Sequence, residues 1–573
     1  SRILEDTDGD GRADEFTVFA EGLNIPSGIA VGYGGVWVAN SPDLLLLQDT
    51  DGDDRADERE VIVTGFGRRD THELPNSLTW GPDGWLYGLN GVFNPSAIVQ
   101  HDRRYEFSCA VWRLHPRTRR FEVFAEGTSN PWGIAFDRAG SMFLSACVID
   151  HLWHIVETGY YHRQAGAYPP FTWKVESIVD HTHQKAAYCG IHYFDSDVYP
   201  PEYRERLYMG NIHGGCINVD KLERRGATYH GTAERDFLAA NDAWFMPVAQ
   251  KTGPDGCLYV LDWYDRYHCY QDARRDPEGI DRGKGRLYRV RYGETPRVSG
   301  FDLAAEPDER LIELLGHPNV YMRDIAQQLL AERAEDATID ALEKLVLEEQ
   351  TPAKQRMHAL WTVLSSRDVG SEFLAALLTS PDPSLRAWGV RAAGNAGNID
   401  SESRHKIVQL AWDDDPDVRL QVAIAAQKIE DLPAAEVLLR VLAASNGDPL
   451  IPQIVWANLH PELGEDPQSV FSRLAREDVR EASAVLALLP RMIDRLLGSD
   501  APIDDVVLLV ELLYRQQAVG ALAGVLRNLT AKVQNGELQG ERLADLQETL
   551  QPLVGALAKA KRHGAVSEAA KLL

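Results

Sequence analysis

A hairpin pattern recurs five times in the first half of this chain. Each copy has a small or proline-containing entry, an apolar strand, a glycine turn and an aromatic-rich strand. The copies run Ile25–Asn40, Leu74–Asn90, Asn130–Ala146, Cys189–Asn211 (with a longer turn) and Phe245–Asp262. Their entries lie 49 to 59 residues apart. Short strands with regular turn signals argue for all-β structure. Units of this period bury their apolar faces by stacking against one another, as the blades of a propeller do. The pattern predicts an all-β propeller over residues 1–295, of six blades, with five inner hairpins visible. The sixth blade is expected to close where Gly285–Tyr292 pairs with the strand at Ser1–Leu4.

A second repeat lies within the same region. Asp6-Thr-Asp-Gly-Asp-Gly-Arg-Ala-Asp-Glu15 returns, with one change, as Asp49-Thr-Asp-Gly-Asp-Asp-Arg-Ala-Asp-Glu58. Asp6, Asp8, Asp10 and Asp14, and likewise Asp49, Asp51, Asp53 and Asp57, alternate around a tight turn. A hard cation takes several oxygen ligands from such a turn, so both decads read as structural calcium loops. An Asp-rich hairpin without metal is the alternative. These loops join outer strands, which places them away from catalysis.

From about residue 305 the texture changes to Ala, Leu, Arg and Glu at helical spacing. Pro318, Pro352, Pro383, Pro416 and Pro449 recur every 31 to 34 residues. Each opens a helical run, because proline suits a first turn where its missing N–H costs nothing. Arg323, Arg356, Arg386 and Arg419 follow at nearly constant offsets. Residues 305–573 therefore read as an all-α HEAT- or armadillo-like solenoid, with residues 294–308 as the junction.

The formal net charge of -27 repels phosphate backbones and anionic membrane surfaces, which argues against nucleic acid as a partner. No apolar stretch is long enough to span a bilayer, and no signal peptide is visible. Ser1 is expected to follow a removed leader. Six cysteines, none in a CxxC pair, exclude a zinc ribbon and a c-type haem site; they are either free or in one of the 15 disulfide pairings open to six cysteines.

In a propeller, hairpin entries and exits share one face of the disc and the glycine turns occupy the other. The entry and exit positions are His72, Asn76, Asn90, Asn130, Trp132, Asp150, His151, His192, Asn211, His213, Asp262, Trp263, Tyr264, Asp265 and His268. The turns at 32–35, 81–84, 137–140 and 253–256 carry no histidine. Imidazole is the side chain best placed for proton transfer near neutral pH. Convergent His, Asp, Tyr and Trp at a channel mouth suit a polar substrate or cofactor. His181 and His183 fall on one side of an extended segment and can offer two nitrogens to one additional metal. Asp262, Asp265 and His268 form the first catalytic expectation, with Tyr264 beside them and Arg266 orienting an anionic or carbonyl group. His72, His192 and His213 are the other candidate bases.

The series Asp-Thr-Asp-Gly-Asp-Gly-Arg-Ala-Asp, Phe-Ala-Glu-Gly, His72-Glu-Leu-Pro-Asn76, Asn130-Pro-Trp-Gly and Gly285-Arg-Leu-Tyr-Arg-Val resembles the membrane-bound dehydrogenase family of planctomycetes and verrucomicrobia. The propeller of that family is similar to that of soluble quinoprotein glucose/sorbosone dehydrogenases, and HEAT-like repeats and a c-type cytochrome module commonly follow it. The resemblance implies an exported, extracytoplasmic oxidoreductase acting on a sugar or polyol. In that case His72 or His192 is the base and pyrroloquinoline quinone the hydride acceptor. The chain lacks CxxCH, so a separate cytochrome would be its partner, and the solenoid would dock a protein. Ser129-Asn130-Pro131 stands where those quinoproteins usually carry Arg-Asn-Pro. Two alternatives remain open: a carbohydrate-active lyase or hydrolase using His, Tyr and Asp on the same face, which His181, His183, His213, His268, Tyr264 and Arg266 would suit, and a non-catalytic glycan- or protein-binding scaffold.

Overall fold

The computed structural model describes the chain except residues 185, 186, 268–273, 282, 299, 475, 477, 478, 480, 481, 500, 560–566, 569, 570, 572 and 573. Contacts divide it into two compact units. The first comprises residues 1–167, 174–224 and 228–369; the second comprises 168–173, 225–227 and 370–573.

The β part of the first unit is an all-β propeller in which each predicted hairpin starts one sheet. The first sheet runs Gly28–Gly32, Gly35–Asn40, Asp43–Gln48 and Glu58–Thr64. The second begins with Asn76–Trp80 and Leu86–Asn90, the third with Asn130–Phe136 and Met142–Cys147, the fourth with Tyr188–Phe194 and Arg206–Asn211, and the fifth with Pro247–Thr252 and Leu258–Asp262. Alternation explains the local choice. In Gly35–Asn40, Trp37 and Ala39 enter a cluster with Leu44, Leu46, Phe66, Trp112 and Phe121, while Val38 packs on the other face with Leu45 and Leu47. Both faces of that strand are buried, as sheets stacked around a ring require.

The expected sixth closure is not made. Arg286–Val290 pairs with Leu258–Asp262 as the third strand of the fifth sheet, and Arg2–Glu5 pairs with Glu15–Val18 through the first Asp-rich turn. A local hairpin closes a short loop at a smaller entropic cost than joining two strands nearly three hundred positions apart.

The inner strands approach closely where the backbone is irregular. Gly133, in the third inner strand, has φ +111°, and a Cβ there would lie 2.5 Å from the amide nitrogen of Ile191 in the fourth. Gly190 has φ +71° and faces Ala249 of the fifth in the same way. Both stand at breaks in strand register, which only glycine occupies without strain.

Four helices complete the first unit: Asp308–Leu314, Val320–Arg333, Asp336–Leu347 and Ala353–Ser366. Val320–Arg333 and Ala353–Ser366 pack on the glycine-turn ends of the sheets. Asn319 Nδ2 donates to the carbonyls of Gly253 and Pro254, Gln327 Nε2 to that of Pro82 and Gln328 Nε2 to that of Val31. The second unit is an all-α run of helix pairs from Ser371–Leu378 to Glu541–Lys559. The spaced arginines have a common task. Arg323, Arg386 and Arg419 each reach back to the two carbonyls that precede their own helix, those of His317 and Pro318, Ser380 and Pro381, and Asp413 and Asp414. No described helix is long and apolar enough to cross a membrane.

Candidate metal centre

Three imidazoles converge on one carboxylate. Asp220 Oδ2 lies 2.7 Å from His151 Nε2, and Asp220 Oδ1 lies 3.1 Å from both His181 Nε2 and His183 Nε2. One potential ligand atom from each of the four residues lies within 4.8 Å of the others. A tetrahedral ion at about 2.0–2.1 Å from its ligands would need them roughly 3.4 Å apart, so the contacts to Asp220 would lengthen by less than about 1 Å to admit one.

The sequence delivers each group differently. His151 sits immediately before Leu152–Ile155, the third strand of the third sheet, and its own carbonyl accepts from the amide of Ala146. Asp220 lies on Cys216–Arg225, the third strand of the fourth sheet. The linking segment between these sheets is threaded onto both: Ile178 N donates to Leu152 O, and Gly231 N to Ile178 O. His181 and His183 follow two residues apart, so alternation turns both toward Asp220. Asn211 Nδ2 holds the next residue by donating to Gln184 O at 3.0 Å and also binds Asn218 Oδ1.

The electrostatics favour a neutral His151 beside an anionic Asp220. Burial pushes His151 down against the opposing pull of Asp220. Burial also works to raise Asp220, but hydrogen bonds from His151 and His183 overcome it and hold the carboxyl below the usual carboxylate range. The Asp220 side chain is 0% exposed and that of His181 is 25% exposed, so the cluster opens to solvent at His181. Tyr188 stacks on His151 at 4.9 Å between ring centroids, and burial keeps its phenol protonated.

The remaining predicted residues lie outside this cluster, Asn76 and Asn130 both beside the buried Glu73. His72 is half exposed and pairs with Asp70 at 2.7 Å. Asn76, Asn90 and Asn211 are buried and engaged with neighbouring backbone. Asn130 Oδ1 faces the Val92 amide, the carbonyl of Trp132 accepts from Ser145, and Asp150 accepts from Ser177. His213 and Trp263 are exposed. Asp262 is buried and accepts from the amides of Met246 and Tyr264. Asp265 accepts from the Tyr267 amide, Tyr264 donates to Asp242, and Arg266 pairs with Asp276. His268 lies outside the described residues. None of the described ones is among the donors that meet Asp220.

Two expectations of placement are corrected. His192 is not at the entry face: it stands four residues into its strand, and its Nε2 meets Thr252 Oγ1 at 2.7 Å near the turn ends. The histidine centre is built from third strands and a linking segment, not from the inner strands around the axis. Asp220 was not anticipated, although Asn218 and Asp220 are polar residues alternating with buried Ile217 and Val219, a readable signal of a functional strand face.

Asp6, Asp8 and Asp10 gather within 4.8 Å, as do Asp49, Asp51 and Asp53. Asp14 and Asp57 instead accept from Thr7 and Thr50, and Arg297 Nη1 meets Asp6 at 2.7 Å. Cys109, Cys147, Cys189, Cys216 and Cys257 are free thiols.

The family profile described as Domain of unknown function (DUF7133) matches residues 2–294, and that of HEAT repeats matches residues 370–457. Among curated proteins, none matches this chain. Several solved structures are similar to it. The PQQ-bound form of an aldose sugar dehydrogenase from Streptomyces coelicolor is 13% identical, over 51% of this chain and 98% of that one, with a TM-score of 0.27. A glucose dehydrogenase is 15% identical over 48% and 99%, with a TM-score of 0.26. A luciferin-regenerating enzyme is 14% identical over 48% and 81%, with a TM-score of 0.32. Likeness at these levels carries no argument about activity.

Proposed function

We propose, from the premise that this chain belongs to the family described as Domain of unknown function (DUF7133), that its propeller is a metal-dependent enzyme acting on a sugar acid. His151, His181, His183 and Asp220, all inside the family match, would hold a divalent transition ion. The observation that carries this reading is the meeting of three imidazole Nε2 atoms at one enclosed carboxylate. Three imidazoles with one carboxylate suit zinc, iron or manganese. The ion would supply a Lewis acid. One carboxylate leaves a divalent ion with net positive charge, which favours an anionic oxygen ligand such as a uronate carboxylate on an otherwise acidic protein. His181 marks the side by which a substrate would enter. The protonated Tyr188 beside His151 supports a role in positioning the centre by stacking.

This is lyase- or hydrolase-type chemistry. The sugar dehydrogenase reading would add a hydride acceptor. A quinone carrying three carboxylates needs cations, and the donor set here does not fit one. Ser129 stands at the expected arginine position, and its hydroxyl is engaged with Gln164. Nearby Glu73 is buried, burial and Asp70 push its carboxyl well up, and no cation is among the groups that shift it.

Elemental analysis of the purified chain tests the proposal. Native protein should carry about one transition ion per chain, together with calcium at the Asp-rich turns. Asp220→Asn and the double variant His181→Ala/His183→Ala should lose the transition ion and retain the calcium. A native protein that neither retains nor takes up zinc or manganese refutes the centre. With the ion loaded, an unsaturated product absorbing in the ultraviolet marks a lyase, and dye reduction by sugars marks a dehydrogenase.

A further inference from the structure

A cavity of ≈ 460 Å³ lies within the first unit, between the glycine-turn ends of the sheets and the helices Val320–Arg333 and Ala353–Ser366. Its volume is in the range of small-molecule sites. Most of its charged lining residues are engaged. Asp195 pairs with Arg323 and Lys354, Arg138 with Glu205, and Asp137 accepts from Tyr229. His192 is bound to Thr252, and burial pushes it down to about 3, so it is neutral.

Two lining charges are different. Lys251 and Asp324 both keep accessible surface inside the cavity. Among the described residues, neither forms a hydrogen bond or an ion pair through its side chain, and the two do not pair with each other. They nevertheless feel one another's charge. Both are exposed to this space, so a cation and an anion without a side-chain partner line one concave surface. Tyr33 and Trp80, in contact at 4.7 Å between ring centroids, supply an aromatic wall.

We propose that this cavity binds a small zwitterion of the α-amino-acid class, its carboxylate against the Lys251 ammonium, its ammonium against the Asp324 carboxylate, and its side chain against Trp80 and Tyr33. A ligand carrying one charge leaves either Lys251 or Asp324 desolvated and unpaired. A ligand with both satisfies the two. The site is separate from the histidine centre and does not depend on it.

The test uses the full chain, with and without chelator, and the standard L-α-amino acids as thermal-shift probes, followed by calorimetry on those that bind. At least one should raise Tm saturably, equally in chelated protein. Its deaminated and decarboxylated counterparts should bind the native protein roughly tenfold or more weakly, about 1.4 kcal/mol for each tenfold. Lys251→Met and Asp324→Asn should weaken binding to a similar extent. The comparison of analogues on native protein stands even if a variant folds poorly. A panel without any binder, or a binder that is indifferent to loss of its amine or its carboxylate, overturns the proposal.

Discussion

Asp220 accepts from three imidazoles with two oxygens, and its enclosure makes each of those contacts stronger than it would be in water. Asp324 illustrates the opposite case. Burial pushes its carboxyl up to about 6, with Arg323 and Lys251 opposing the shift. The folded chain therefore holds a proton on Asp324 that the unfolded chain releases near pH 4. Stability from this group is fully present below about pH 4 and is lost as pH rises through about 6. Asp324→Asn should remove that decline. Unfolding midpoints of native and variant protein should diverge between pH 4 and 6 in favour of the variant and stay parallel above it. Parallel curves throughout would refute the assignment.

At the scale of elements, close approach between sheets holds the centre together. The third sheet brings His151 and the fourth brings Asp220, and their inner strands meet where Gly133 faces Ile191. Gly133→Ala places a Cβ against backbone at a φ that L-residues rarely adopt, a strain of about 1–3 kcal/mol. The variant should melt at lower temperature and hold its transition ion more weakly, although the substituted residue is not one of the ligands. Equal metal affinity in a destabilised variant would uncouple the two effects. Arg113 makes a related contribution inside the second sheet, where its side chain is 0% exposed and pairs with Glu122 and Glu157. Arg113→Met should cost about 3–5 kcal/mol in denaturant unfolding, because two carboxylates lose a buried cation.

Across the whole molecule, a net charge of -27 works against compactness. Raising salt from about 20 to about 500 mM shortens the screening length several-fold, so Tm should rise with sodium chloride, most at the low end. A salt-independent Tm would show that local pairing already cancels the repulsion. The same scale separates what could be read in advance from what could not. Hairpin period, glycine turns and alternating Val, Trp and Leu are local, and they announced five sheets and their order. Proline and arginine spacing announced the helical repeats, including the back-reaching Arg323, Arg386 and Arg419. His181 and His183 were legible as a pair because alternation acts over two residues.

The partners of that pair were not legible. His151 and Asp220 are 69 residues apart in the chain, and no local pattern brings a strand-flanking imidazole to a carboxylate on the next sheet. The strand Arg286–Val290 likewise had two available edges, and the cheaper loop decided between them. No local pattern marks Lys251 or Asp324, which line one cavity only because the helices Val320–Arg333 and Ala353–Ser366 pack over the turn ends. Periods, turns and hydrophobic faces are written in the residue order, because they follow from backbone geometry within a few residues. Which carboxylate meets which imidazoles, and which charges share a cavity, emerges only on folding, because contact depends on neighbours distant in the chain.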